Sequence, residues 1–154
     1  MNKTALNRSS FYIAVNAYVI NGDQVLLGCR QNTGWYDGYF DSIGGHLEVG
    51  ESLTKAVARE LYEEANLKVN EEDLKLFHIS HYLGDKLYLY LFFQTDKYEG
   101  ILKNKEPDFL SGLAFYPISK LPAKTTPYAK AAIKDLNSSS VTYSYFEGNG
   151  PNEP

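Results

Sequence analysis

A chain of 154 residues with 44% hydrophobic and 22% charged residues is long enough for one packed domain and too apolar to be disordered. Fifteen Lys and Arg against nineteen Asp and Glu give a net charge of −4, so no basic footprint for polymeric nucleic acid exists, and an anionic ligand must be held locally by placed cations or a bound divalent ion. Cys29 is the only cysteine, which excludes an internal disulfide framework; with no secretory leader in MNKTALNRSS and no apolar run near the roughly 20 residues of a membrane span, a cytoplasmic protein is expected.

Residues Phe11 to Ile20, FYIAVNAYVI, are β-branched and aromatic, and Asn21-Gly22 marks a tight turn into QVLLGCR, which predicts a β-hairpin. Residues 31–39, QNTGWYDGY, have loop composition with an unusual share of aromatics. Phe40 to Ile43 reads as a short strand entering Gly44-Gly45, and HLEVGE follows as a loop. Ser52 is a favoured N-cap for the helix SLTKAVARELYEEANL, where Val57, Leu61 and Ala65 fall four apart on one face and Asn66 can adopt the left-handed closing conformation. Leu74–Leu83 and Lys86–Thr95 read as paired strands about Gly84-Asp85, the second a YLYLFF run suited to a central position. A polar stretch then leads to the strand LAFYPI, the helix PYAKAAIKDL with Pro127 in its first turn and Asn137 at its close, and a tail with a strand at Val141–Phe146. Mobility is expected in that tail from about residue 138. The order predicts a single α/β domain over residues 1–154, a sandwich around a mixed sheet.

Glu60, Glu63 and Glu64 stand at i, i+3 and i+4 on one helical face. Like charges so placed cost only about 0.2–0.5 kcal/mol per pair, so a solvated acidic face and a metal site are both open on the helix alone. The upstream segment GGHLEVGE shifts the balance, because its glycines admit close backbone approach and Glu51 adds a fourth acid. Magnesium takes carboxylates, a backbone carbonyl and waters; a carbonyl at Gly44 or Gly45 with the helical glutamates would supply that shell. Arg59 is placed to brace Glu51 or another loop acid through a bidentate pair.

Gly45, Glu51 and the run Arg59-Glu60-Leu61-Tyr62-Glu63-Glu64-Ala65-Asn66-Leu67 resemble the Nudix box, the signature of Nudix hydrolases, with one departure, Asn66 where the family has glycine. The resemblance implies a Nudix-like α/β/α sandwich and cleavage by water of a pyrophosphate bond in a nucleoside diphosphate joined to a group X, or in a nucleoside triphosphate, with Mg²⁺ or Mn²⁺. It implies further that Glu60, Glu63 and Glu64 bind metal with the Gly44 carbonyl, and that Glu51 and Arg59 brace loop to helix. The general base varies within the family: Glu60 or Glu63 could serve, and Glu106 in NKEPD is the candidate from a later loop, with Asp108 in reserve. Retention of the three glutamates favours the enzyme over a catalytically silent nucleotide sensor of the same fold.

Substrate contacts are less defined. Arg30 could hold a phosphate or pair with a surface acid; Trp35, Tyr36, Tyr39 and Phe40 could stack on a base or fill the core; His46 could touch a phosphate or be solvated. His78 and His81 read as structural or solvated, and Cys29 as core. Expected partners are a small nucleotide, with neither membrane nor polymeric nucleic acid, and a second copy of the chain if the Tyr-rich strand VTYSYF pairs at an edge.

Overall fold

In the computed structural model, which describes residues 9–148, the Asn21-Gly22 turn joins β1 (Tyr12–Asn21) to β2 (Gln24–Arg30), with Gly22 at φ 63°. The predicted hairpin is paired only at its closed end, Ile20 with Val25 and Asn21 with Gln24. Beyond it the strands part. β1 is buried continuously from Ala14 to Val19 and so needs neighbours on both edges and cover on both faces. It lies antiparallel to β4 (Ile43–His46) and parallel to β6 (Leu87–Thr95), while β2 pairs antiparallel with β3 (Phe40–Asp41) and β7 (Leu110–Pro117). The strand expected over Phe40–Ile43 is therefore two, broken at Ser42, whose amide donates to Asp41 Oδ1 at 2.8 Å.

β5 (Lys75–Leu83) runs antiparallel to β6, as the Gly84-Asp85 turn predicts, and β8 (Thr142–Glu147) adds in parallel to β5. The main path of the mixed sheet is β3-β2-β1-β6-β5-β8, with the YLYLFF strand central. The tail strand thus docks on its own sheet; the part of the tail expected to be mobile that covers residues 149–154 lies outside the described residues.

Helix α1 (Leu53–Ala65) begins where Ser52 accepts from the Lys55 amide and ends where Asn66, at φ 60° and ψ 24°, lets the Asn66 and Leu67 amides donate back to Tyr62 and Leu61. Asn66 thus closes the helix as a glycine would. Ala56, Val57, Leu61 and Ala65 pack on Val15, Ala17, Leu91 and Phe93. On the opposite face α2 (Pro127–Lys134), capped by Thr126, buries Tyr128, Ala129, Ala132 and Ile133 against Tyr18, Phe77 and Phe92. The helix stops short of Asn137, which instead takes φ 63° in the following turn. The result is the expected α/β/α sandwich. Among the described residues no helix is long and apolar enough to cross a membrane.

Candidate functional site

The sequence predicts that Arg59 braces Glu51, and the fork is present: Nε donates to Glu51 Oε2 at 3.1 Å and Nη2 to Oε1 at 2.8 Å. The same guanidinium also donates to the His46 carbonyl at 3.1 Å, to Glu60 at 2.8 Å and to Glu63 at 3.2 Å. One planar cation therefore ties the 46–51 loop to α1 and holds two acids, geometry that a lysine could not reproduce. Beside Arg59 the Glu51 carboxyl is held down to about 2.

Glu60 and Glu64 behave oppositely. Burial raises the proton affinity of Glu60, and the charges of Glu63 and Glu106 add to it against Arg59. At Glu64 burial, then the charges of Glu60 and Glu106, push the carboxyl up to about 8, opposed by Arg30 and a backbone hydrogen bond from Gly44. Glu106 arrives from the loop before β7, fixed by its amide donating to Asn104 Oδ1 and its carbonyl accepting from Phe109 and Leu110. A Cβ on Gly45 would lie 2.4 Å from Glu60 Oε1, so glycine at that position is what lets Glu60 lie against the loop.

A cleft of about 550 Å³ adjoins these acids. Glu64, Glu106, Gly44, Gly45, His46 and Arg30 line it, together with an aromatic surface made by Trp35, Tyr82, Tyr88, Tyr90 and Tyr128. Tyr88, Tyr90 and Tyr128 stack in series, at 5.4 and 5.1 Å between ring centroids. Arg30 is aimed by its Nε donating to the Trp35 carbonyl at 2.7 Å, with Nη1 3.9 Å from Asp41. Asp41, 3% exposed, accepts from the Tyr128 hydroxyl at 2.6 Å, and burial raises its proton affinity. Asn16, also buried, accepts from Ser42 Oγ at 3.2 Å while its Nδ2 has no hydrogen-bond partner.

Of the residues singled out in the sequence, Arg30, Trp35, Gly44, His46, Glu64 and Glu106 meet at this cleft. Glu60 touches Arg59 beside it, and Glu63 is half exposed. Tyr36 and Phe40 are not in its lining. Tyr36 packs edge-on to Trp35, Tyr39 and Tyr128, and Phe40 packs on Tyr116. Strand alternation explains the exchange, since turning Phe40 to one face of β3 turns Asp41 to the other. Asp108 is exposed and offers only its carbonyl, to Asn32. His78 is buried and structural, bonded to Thr142, Ser144 and Asp135. Asn16, Asp41, Tyr90 and Tyr128 were not legible as site residues, though an Asp between Phe40 and Ile43 in a short strand was a signal for the second.

The acids fit a hard divalent cation. The proton affinities of Glu60 and Glu64 are both raised by burial and by neighbouring acids, Glu63 and Glu106 at the first and Glu60 and Glu106 at the second, a conflict that an oxygen-bound divalent cation would relieve. Among the described residues no three His, Cys, Asp or Glu side chains are already gathered as a ligating group, and Arg59 holds Glu60 and Glu63 in ion pairs.

The model of the NUDIX domain family matches residues 11–136. An isopentenyl-diphosphate Delta-isomerase of Rhizobium rhizogenes is 34% identical over 68 residues, 42% of this chain and 32% of that protein, so the chain spans about a third of this relative's length. Among solved structures, a MutT NUDIX hydrolase from Burkholderia pseudomallei superimposes with TM-score 0.78 at 18% identity, covering 84% of this chain and 100% of that one. A mutator MutT protein from Bacillus halodurans gives 0.76 at 23% identity, covering 93% and 94%. At these identities the two structures establish the fold.

Proposed function

The chain belongs to the Nudix family, and from that premise we propose that it is a pyrophosphohydrolase whose substrate is a nucleoside diphosphate joined to a group X, or a nucleoside triphosphate. The observation that carries the reading is the partly buried Glu64, set against Glu60 and Glu106 in the lining of a cleft that has an aromatic surface. Glu60, Glu63 and Glu64, with the Gly44 carbonyl, are the residues that would hold Mg²⁺ or Mn²⁺, which when bound neutralises phosphate oxygens and activates water. Arg59 stabilises the metal-free state of Glu60 and Glu63 and keeps the 46–51 loop on the helix. Arg30, aimed by the Trp35 carbonyl, is the cation for a phosphate oxygen, with His46 as a second contact. Glu106 is the proposed base: its carboxylate takes the proton of the attacking water, drawn by a position beside the helical acids on a loop that its own backbone bonds fix.

The isomerase relative raises a second reading, an isoprenoid diphosphate. The polar atoms of the cleft argue against it. Asn16 is buried in the lining with its Nδ2 unpartnered, and an alkyl chain against it would leave that amide unanswered, whereas a base edge can accept from it. The aromatic rings supply a stacking surface for the same base. A single domain and a cytoplasmic setting, fitting one cysteine, complete the proposal.

The test is product analysis by ion exchange after incubating the protein and Mg²⁺ with nucleoside triphosphates, sugar nucleotides and isopentenyl diphosphate. Nucleoside monophosphate from a nucleotide, with isopentenyl diphosphate unchanged, is expected. Isomerised isopentenyl diphosphate and intact nucleotides would overturn the reading.

A further inference from the structure

α1 covers only part of its face of the sheet. Val15, Leu91 and Phe93 lie beneath it, while the same face continues across β5 and β8 without a helix. Register defines what is displayed there: Ile79 pairs with Tyr143, His81 with Tyr145 and with Leu89, and Leu83 with Leu87. Tyr143 is 64% exposed, Val141 49%, Tyr145 44% and Leu83 38%. His81 secures this surface, with Tyr145 at 5.0 Å and Phe11 at 5.2 Å between ring centroids and the Tyr143 hydroxyl 3.1 Å from Nδ1. From Ile13 across Leu89 and His81 to Tyr145 the face has no Lys, Arg, Asp or Glu; the first acid is Glu147 at the end of β8.

Among the described residues no strand pairs with β8 on its far side, since it is last in the strand order. Edge strands are usually protected by lysine, proline or a bulge, and TYSYF has none of these. Its inward residues Thr142 and Ser144 are fixed to His78, at 2.6 and 2.8 Å, so the outward tyrosines stand on a strand that is held in place. An uncharged aromatic face next to an open edge marks an interaction surface.

We propose that this surface, Val141, Tyr143, Tyr145 and Leu83 with the free edge of β8, binds a second copy of the chain. Charge favours that occupant. On a chain of net charge −4, copies approaching by most faces repel, whereas here two like surfaces meet through uncharged side chains, with Glu147, which accepts from the Tyr145 hydroxyl, at the end of the strand. The flanking sequences are poor alternatives, since MNKTALNR offers only Met1 and Leu6 as large apolar side chains and NGPNEP offers none. None of these four residues lines the cleft.

Sedimentation velocity over a hundredfold concentration range tests this. The 17.4 kDa chain is expected to move to twice its mass as concentration rises, and Tyr143→Glu with Tyr145→Glu to keep it monomeric at every concentration with its circular dichroism unchanged. Should the double variant fail to fold, Leu83→Glu reads out the same face. A monomer throughout the range, or a dimer that persists in folded variants, overturns the proposal; a monomer that dimerises only after residues 1–8 are deleted overturns it too, by assigning the face to that segment.

Discussion

Adjacent glycines, Gly44 and Gly45, should separate catalysis from stability. Neither has positive φ, so alanine brings no backbone strain at either position and the outcome depends on what its Cβ meets. At Gly45 it meets Glu60 Oε1 at 2.4 Å, about 1 Å inside van der Waals contact, and the obstacle is the end of a flexible side chain. Glu60 can rotate away, giving up its 2.8 Å contact with Arg59, and the fold survives. Displacing an acid at a reacting centre by about 1 Å costs on the order of 100-fold in rate. At Gly44 the Cβ meets the Val15 carbonyl oxygen at 2.0 Å and Asn16 Cα at 2.8 Å, which are backbone atoms of β1 that pair with this strand. No rotamer relieves that overlap, so the cost is overpacking, about 3 kcal/mol, or roughly 6–12 °C in Tm. The assay is kcat on a cleaved nucleotide beside a thermal melt of each purified variant. Gly45→Ala is expected to lose about two orders of magnitude in kcat with Tm almost unchanged, and Gly44→Ala to melt early. Full activity in Gly45→Ala would refute the role given to Glu60.

Three further outcomes follow from the same geometry. Glu64→Gln removes the need to protonate a partly buried carboxyl on folding; because the folded-state carboxyl is raised to about 8, wild-type stability is lost as pH rises above the ordinary carboxylate range, so the metal-free variant should melt several degrees higher at pH 7 while turnover falls by orders of magnitude. A lower Tm would contradict that account. Asn66→Ala forfeits both the tolerated left-handed turn and the 2.9 Å bond from Nδ2 to the Ile101 carbonyl, for about 2 kcal/mol by urea unfolding, whereas Asn66→Gly should stay within about 1 kcal/mol of wild type. At His78 burial lowers the folded-state pKa below the ordinary histidine value, so its contribution is complete above about pH 6.5 and declines as pH falls. Melts from pH 8 to 5 should therefore be flatter in His78→Gln than in wild type, and equal slopes would exclude the histidine as the cause.

What was legible in the sequence was local. The span from Ser52 to Asn66 carries its own cap, face and closing residue, so α1 could be read from spacing, while the Arg59–Glu51 brace followed from the resemblance to the Nudix box. The β1–β2 turn was equally local, but the partners of β1 are set by burial against strands far along the chain, and the hairpin opens for that reason. The cleft was the least legible part. Asn16, Asp41, Tyr90 and Tyr128 come from β1, β3, β6 and α2 and meet only when the sheet and helix pack. Trp35 and Tyr36, adjacent in one loop, took opposite fates, Trp35 lining the cleft and Tyr36 wedged between Tyr39 and Tyr128. Composition could not distinguish them, because the difference is a backbone turn, Tyr36 standing at φ 51°.

The most direct test of the central claim is phosphate release, coupled through a phosphatase, from a panel of nucleoside triphosphates, sugar nucleotides and dinucleotides with Mg²⁺ or Mn²⁺, beside EDTA and Glu64→Gln controls. Metal-dependent cleavage of at least one nucleotide, abolished by EDTA and by the substitution, is the predicted result. Nucleotides that bind yet remain uncleaved with either metal would contradict the account and leave a sensor that has kept its acids.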